Sequence, residues 1–310
     1  MKILIYGAGV LGSHIAHVLC SAGHDITVLA RGKRLSALKQ NGLVIRHYLQ
    51  LRTTVDRIKV TDKLDRNDEY ELVLIVMQYQ QIEKILPDIA ENLNTANFAF
   101  IGNNPFPERT AAYINKNSPI KKNLYFGFFM AAGRIENDRV ISAHTGGANS
   151  GRLMIGSLDG KSLDIFKTLC ANGRLKLNIQ EDIDAWLKSH AAFVLPVCYA
   201  IYQCNGNFRM ASKALIHSII NAIIEGYNML RSIGIVPRPA EDEEFVKRHR
   251  YRAYAFIKIC AVTPIGRLMT SDHAMSAVEE MRALDAAFCE LKEQSGITME
   301  TWSQLQKFMR

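Results

Sequence analysis

A chain of 310 residues with 48% apolar and 22% charged side chains has enough material for two domains with separate cores, and its composition is that of an ordinary globular enzyme. Its formal charge of +8 comes from cations spread along the chain, with no long basic run and no basic stripe interleaved with aromatics. That argues against a nucleic-acid partner and for anionic small molecules. No apolar run has the length of a membrane span, and a strand beginning at residue 3 leaves no room for a signal peptide, so no membrane partner and a cytoplasmic location are expected.

The first element is the most informative. MKILIYGAGVLG is an apolar strand (Ile3–Tyr6) running into Gly7-x-Gly9-x-x-Gly12 and then into a helical pattern. Such a strand and turn begin a dinucleotide-binding fold. Gly7 takes the tight turn, Gly9 admits a pyrophosphate to the backbone, and Gly12 lets the helix pack on the strand. Gly7, Ala8, Gly9, Val10, Leu11 and Gly12 are therefore the expected phosphate-binding residues, at a helix N-terminus whose N–H groups are free. A glycine turn alone also serves purely structural ends; the second strand at Asp25–Ala30 favours the nucleotide role.

Further strands are expected at 71–77, 97–102 and 123–129, and helices at 10–22, 33–40, 80–92 and 107–115. This alternation predicts an α/β fold with a doubly wound, largely parallel sheet. Between 130 and 160 glycines separate short β-like runs, Arg139–His144 and Arg152–Ile155, which predict an antiparallel extension of the same sheet. A last helix at Asp164–Ala171 and a strand at Lys176–Asn178 close this half. From Asp182 onward only helical patterns appear, at Asp182–Gln203, Ser212–Ile233, 242–260 and 271–294, with Ser271 or Asp272 as N-cap of the last. The expected domains are 1–178 for the nucleotide and 179–310 for an all-α domain. The six cysteines are scattered without CxxC or Cys/His spacing, so they read as reduced thiols, and no metal site is expected.

An NAD-preferring fold usually carries an acidic residue at the end of its second strand, to bond the ribose 2′-hydroxyl. Here that strand ends Ala30-Arg31-Gly32-Lys33-Arg34. A carboxylate there would repel a 2′-phosphate, whereas a guanidinium holds it through bidentate bonds. Arg31, at the strand tip, therefore points to NADPH.

The run GAGVLG…AGHDITVLARG, with Asn103 and Lys188 further on, resembles the ketopantoate reductase (2-dehydropantoate 2-reductase) family. The resemblance spans essentially the whole chain; it is strong over residues 1–45, fair from 70 to 190 and thin beyond. It implies an N-terminal Rossmann domain followed by a helical domain of the 6-phosphogluconate dehydrogenase C-terminal type, for substrate and dimerisation, with a homodimer as the assembly. After the strand at 72–76 the family reads Val-Lys-x-Tyr-Gln; here Tyr79 and Gln80 match, and the lysine is Met77. Asn103 matches an asparagine between nicotinamide and substrate. Trp186-x-Lys188 matches the family's helix bearing the catalytic lysine. Two asparagines that follow that lysine are Ala192 and Pro196 here, which removes two polar anchors and puts a proline inside a helix. Glu225 falls in register with one family glutamate, among isoleucines that suggest a partly buried partner for a cation. Glu280 is the nearest equivalent of the second glutamate, in a segment that otherwise departs from the family's. Glu279 and Glu280 are equally placed to decorate an exposed helix face.

The resemblance implies hydride transfer from NADPH to the carbonyl carbon of a 2-oxo acid. Lys188 would act as electrophile and general acid, Glu225 or Glu280 would orient it, and Asn103 and Gln80 would join the cofactor site. Ketopantoate, and with it pantothenate biosynthesis, is one substrate assignment; the loss of both anchors favours another 2-oxo acid. The competing reading is a non-catalytic NADP(H)-binding sensor. An opine-type or 6-phosphogluconate-type dehydrogenase shares the two-domain plan, but Arg31 and Trp186-x-Lys188 speak against it.

Overall fold

The twelve strands of the computed structural model, which describes residues 1–310, divide between two sheets. In chain order they are β1 (Lys2–Tyr6), β2 (Asp25–Leu29), β3 (Leu43–His47), β4 (Arg52–Asp56), β5 (Lys59–Thr61), β6 (Leu72–Ile75), β7 (Asn97–Ile101), β8 (Asn123–Phe129), β9 (Ala132–Glu136), β10 (Arg139–Ala143), β11 (Gly151–Gly156) and β12 (Leu175–Ile179). The larger sheet has the order β12-β11-β8-β7-β6-β1-β2-β5. Strands β5 through β8 and β1, β2 are mutually parallel, and β11 runs antiparallel to β8. Strands β1, β6 and β7 are apolar almost throughout and buried on both faces, as central parallel strands must be. The chain leaves β1 on one side for β2 and returns on the other for β6. The carboxyl end of β1 is thus the switch point where such sheets open a ligand crevice.

Six helices belong to this half: α1 (Val10–Ser21), α2 (Gly32–Asn41), α3 (Tyr79–Ile82), α4 (Leu86–Glu91), α5 (Pro107–Asn117) and α6 (Asp164–Leu169). Helix α1 packs against strands of both sheets. The smaller sheet, β4-β3-β10-β9, corrects one expectation. Residues 139–143 do not extend the main sheet; β10 pairs parallel with β3 and antiparallel with β9. The β9–β10 connection is a two-residue turn, Asn137-Asp138, with both residues at positive φ, the conformation that closes a tight hairpin. That hairpin is local; its partner β3 lies far away in the chain and was missed, as were β4 and β5, because their exposed Arg, Thr and Lys side chains dilute the apolar alternation. Only β11 joins the main sheet as expected.

The chain forms two compact units, Met1–Gly102 with Phe106–Ile183, and Asn103–Pro105 with Asp184–Arg310. The helices of the second half are α7 (Ile183–Gln203), α8 (Lys213–Ser232), α9 (Ala240–Arg248), α10 (Arg250–Val262), α11 (Pro264–Met269), α12 (Ser271–Ser276), α13 (Val278–Ser295) and α14 (Glu300–Gln306). Helix α7 continues through Pro196. Ala192 on α7 is fully buried, and a Cβ added to Gly226 of α8 would lie 3.1 Å from its methyl group, so small residues let these helices approach closely. Residues 242–260 form two helices rather than one, broken at His249, and 271–294 likewise break at Ala277. Ser271 and Asp272 are not N-caps, since α12 starts at Ser271 itself; Asp272 accepts from Arg267 at 3.2 Å.

One ion-pair network stitches α8 to α9. Buried Glu243 accepts from Arg231 Nε at 2.8 Å, again from Arg231 Nη2, and from Lys247 Nζ at 2.6 Å. The Arg231 bonds first, and Lys247 after them, hold its carboxyl down at about 2. A carboxyl depressed on folding stabilises above its unfolded pKa, and that stability is lost as pH falls through the folded value. Thermal stability is therefore expected to drop between pH ~4.5 and ~2 by roughly 2 kcal/mol through this group alone. Glu243→Gln should flatten that limb of a melting-temperature against pH curve; an unchanged limb would remove Glu243 from it.

Candidate nucleotide and substrate site

The glycine turn is built by close packing. Gly7 has φ +119°, and a Cβ there would lie 2.3 Å from the carbonyl oxygen of Val76. A Cβ on Gly12 would lie 2.0 Å from the carbonyl oxygen of Gly7, so α1 presses directly on the turn. Gly9 differs: nothing lies within 4 Å of where its Cβ would be. It faces open space at the N-terminus of α1, where Gly9 is the N-cap and no side chain caps the helix. The first N–H groups of that helix are therefore available to an anion.

Beside the turn, at the carboxyl ends of β1 and β2, lies a cavity of about 460 Å³. Tyr6, Gly7, Ala8, Gly9, Leu29, Ala30, Arg31, Arg34, Met77, Gln81, Lys84 and Ile85 line it, which makes three cations and no carboxylate. Arg31 donates from Nη2 to Tyr6 Oη at 3.1 Å and from Nε to the Asp62 carbonyl at 3.3 Å, while its side chain stays 61% exposed. Asp88 lies 3.9 Å from it. Arg34 reaches into the turn itself, donating to the Ala8 carbonyl at 3.1 Å and to Ser13 Oγ at 3.1 Å. Of the cations that follow β2 in the sequence, Arg31 and Arg34 line the cavity and Lys33 does not; Lys84 joins them from further along the chain. Gln80 does not line the cavity but donates to Gln78 Oε1 at 2.9 Å, and Gln81 stands there in its place. An open glycine, helix N–H groups and a lining whose only charged residues are cations fit a phosphorylated dinucleotide.

The residues expected to act on a substrate fall in the second unit. Asn103, just past β7, is buried and donates from Nδ2 to Glu280 Oε1 at 3.0 Å, joining two residues read separately from the sequence. Glu280 is buried too, which a surface-decorating glutamate would not be. It also faces Cys198 of α7, whose thiol is pushed up to about 12 by burial and, second, by the Glu280 charge. Lys188 is 4% exposed and donates to Asp184, one turn earlier on α7. Trp186 stacks on His190, rings 5.1 Å apart and nearly parallel. Glu225 instead does structural work: its two oxygens accept from the backbone N–H groups of Thr301 at 3.0 Å and Trp302 at 2.7 Å, at the N-terminus of α14. Its isoleucine-rich surroundings gave no hint of that, because α14 was not foreseen.

A second cluster was invisible in the sequence. His14, His47 and His144 are all buried, with ligand atoms within 4.8 Å of one another, and none of the three lines the cavity.

The family model described as "Ketopantoate reductase PanE/ApbA" matches residues 3–160, just over half of the chain. The 2-dehydropantoate 2-reductase of Pyrococcus abyssi is 31% identical over 85 residues, which are 27% of this chain and 27% of that protein. A 45-residue match to the 2-dehydropantoate 2-reductase of Pyrococcus horikoshii is 42% identical and spans 14% of this chain and 15% of that one. The chain thus aligns with well under a third of these curated relatives' lengths. Among solved structures, D-mandelate dehydrogenase with NADH and anilino(oxo)acetate superimposes with a TM-score of 0.75 at 17% identity, covering 100% of this chain and 97% of the other.

Proposed function

The chain belongs to the ketopantoate reductase family, and from that premise we propose that it is an NADPH-dependent reductase of a 2-oxo acid. The observation that carries the reading is the cavity at the glycine turn, with Arg31, Arg34 and Lys84 on its wall and no carboxylate. Three cations suit a ligand with a pyrophosphate and a further phosphate. Lys84 lines the same cavity as Met77, the residue that stands where the family carries a lysine. A fold relative solved with NADH and an oxo-acetate compound supports the substrate class.

When bound, the cofactor supplies a hydride to the carbonyl carbon. The protein's tasks are then to hold the carbonyl, to stabilise the oxygen as it gains charge and to protonate it. Lys188 donates the proton to that oxygen, with Asp184 orienting its ammonium. Glu280 fixes the Asn103 amide, leaving its remaining N–H and its carbonyl oxygen to position substrate. Glu225 is assigned to the fold, not to the reaction. The non-catalytic alternative draws on Ala192, which packs against α8 and offers no polar group.

Cofactor choice tests the reading. Arg31→Ala is expected to raise the KM for NADPH by roughly 10- to 100-fold, the loss of charge-assisted bonds to one phosphate, and to leave that for NADH nearly unchanged. Equal effects on both cofactors would remove Arg31 from 2′-phosphate recognition.

A further inference from the structure

We propose that His14, His47 and His144 form a binding site for one divalent metal ion, zinc(II) by preference, that bolts α1 to the smaller sheet. The three rings come from α1, the end of β3 and the residue just after β10. They pack edge-on or nearly so, with His14 and His144 centroids 4.1 Å apart and His47 within 5.9 Å of both. Three ligand nitrogens on tetrahedral zinc lie about 3.3 Å from one another, so spacings within 4.8 Å need side-chain shifts of order 1 Å.

Hydrogen bonds set the tautomers. His144 Nε2 lies 3.0 Å from the Gly147 carbonyl and His14 Nε2 lies 3.0 Å from the Ser150 carbonyl. A carbonyl only accepts, so both Nε2 atoms carry the proton and both Nδ1 atoms present a lone pair. His47 Nε2 lies 2.8 Å from Thr54 Oγ1. The Nδ1 atoms of His47 and His144 are buried with no hydrogen-bond partner, an arrangement that costs free energy unless something else meets those lone pairs. Ring nitrogens bonded outward to backbone carbonyls, with the other nitrogen turned inward, are how proteins orient zinc-binding imidazoles.

The surroundings agree. All three rings are buried, and His14 also lies against the ring of Phe129 at 5.3 Å, so bulk water does not compete for the inward nitrogens. His17 is not part of the set, since its nitrogens engage Asp56 at 2.6 Å and Asn149 at 2.9 Å. Arg52 and, more weakly, Asp56 also face His47, with opposite effects on a positive charge there. Ser142 Oγ, 2.6 Å from His14 Nδ1, gives up that bond on coordination and is left to hold a water in the fourth position. All-nitrogen ligation suits zinc, copper(II) and nickel(II) over magnesium or calcium.

The test uses the full chain, free of any affinity tag and stripped with EDTA. Calorimetric titration with zinc(II) alone is expected to show one equivalent per chain at micromolar affinity or tighter. His47→Gln and His144→Gln should each weaken it by more than the ~10- to 100-fold that losing an outer-shell partner costs. His249→Gln, on the exposed α9–α10 junction, should change nothing. Cobalt(II) should give visible tetrahedral bands in the wild type that zinc(II) abolishes. Absent bands, or zinc binding unchanged in His144→Gln, would overturn the site. If either variant does not fold, the wild-type cobalt spectrum decides.

Discussion

Lys188→Ala is expected to lower kcat by about 10²- to 10⁴-fold, the usual contribution of a positioned general acid, with little change in the KM for NADPH. Lys188 is buried to 4% exposure while its partner Asp184 stays one-third exposed, so truncation strands no fully buried charge and the fold should survive. Lys188→Arg separates charge from proton delivery. A guanidinium keeps the cation but is a poor acid, so it should recover substrate affinity without recovering kcat. A lysine with a purely structural role would lower the melting temperature in both variants and leave kcat within a few-fold of wild type. Parallel kcat, KM and melting measurements distinguish the two.

Two glycines three residues apart in the turn should differ in stability while both lose cofactor affinity. Gly12→Ala puts a methyl 2.0 Å from the Gly7 carbonyl oxygen, a rigid backbone atom, so α1 must lift off the turn. The expected cost is about 3 kcal/mol or more, a fall in melting temperature of roughly 6–12 °C, with cofactor binding lost as well. Gly9→Ala meets nothing within 4 Å and should leave stability within about 0.5 kcal/mol of wild type. Its methyl enters the space a pyrophosphate would take, so NADPH affinity should still fall at least ~10-fold. Loss of binding with intact stability at residue 9, and loss of both at residue 12, is the signature of a phosphate cradle. A Gly9→Ala protein that binds NADPH normally would mean the turn is merely structural.

The contrast between what the sequence disclosed and what it hid follows the range of the interactions. Strand β1, the glycine turn and α1 are adjacent in the chain, and their signals are local: an apolar run, glycines at fixed spacing, a helical pattern after them. The cations that follow β2 stand out in the sequence for the same reason, but the reach of Arg34 back to the Ala8 carbonyl across the turn does not. The β3–β10 pairing joins strands far apart in the chain, and no local pattern encodes which sheet a hairpin will join. The histidine cluster is the extreme case. His14, His47 and His144 carry no metal-binding spacing, and only the packing of α1 on the smaller sheet unites them. Glu280 was named from position in a segment that otherwise lacks the expected pattern; its bond to Asn103 rests on packing that the segment's sequence does not announce. Glu225 misled because a carboxylate among isoleucines looks like half of a buried ion pair, whereas here it serves the backbone of α14.

The proposed reaction is NADPH-dependent reduction of a 2-oxo acid with Lys188 as the proton donor. The most direct measurement follows NADPH oxidation by the purified protein across a panel of 2-oxo acids that includes ketopantoate and varies the side chain. The account predicts turnover of at least one member at a kcat/KM of ~10⁴ M⁻¹s⁻¹ or above, within the usual enzymatic range, and its collapse in Lys188→Ala. Tight NADPH binding with no turnover of any member would contradict it and leave a nucleotide-binding protein.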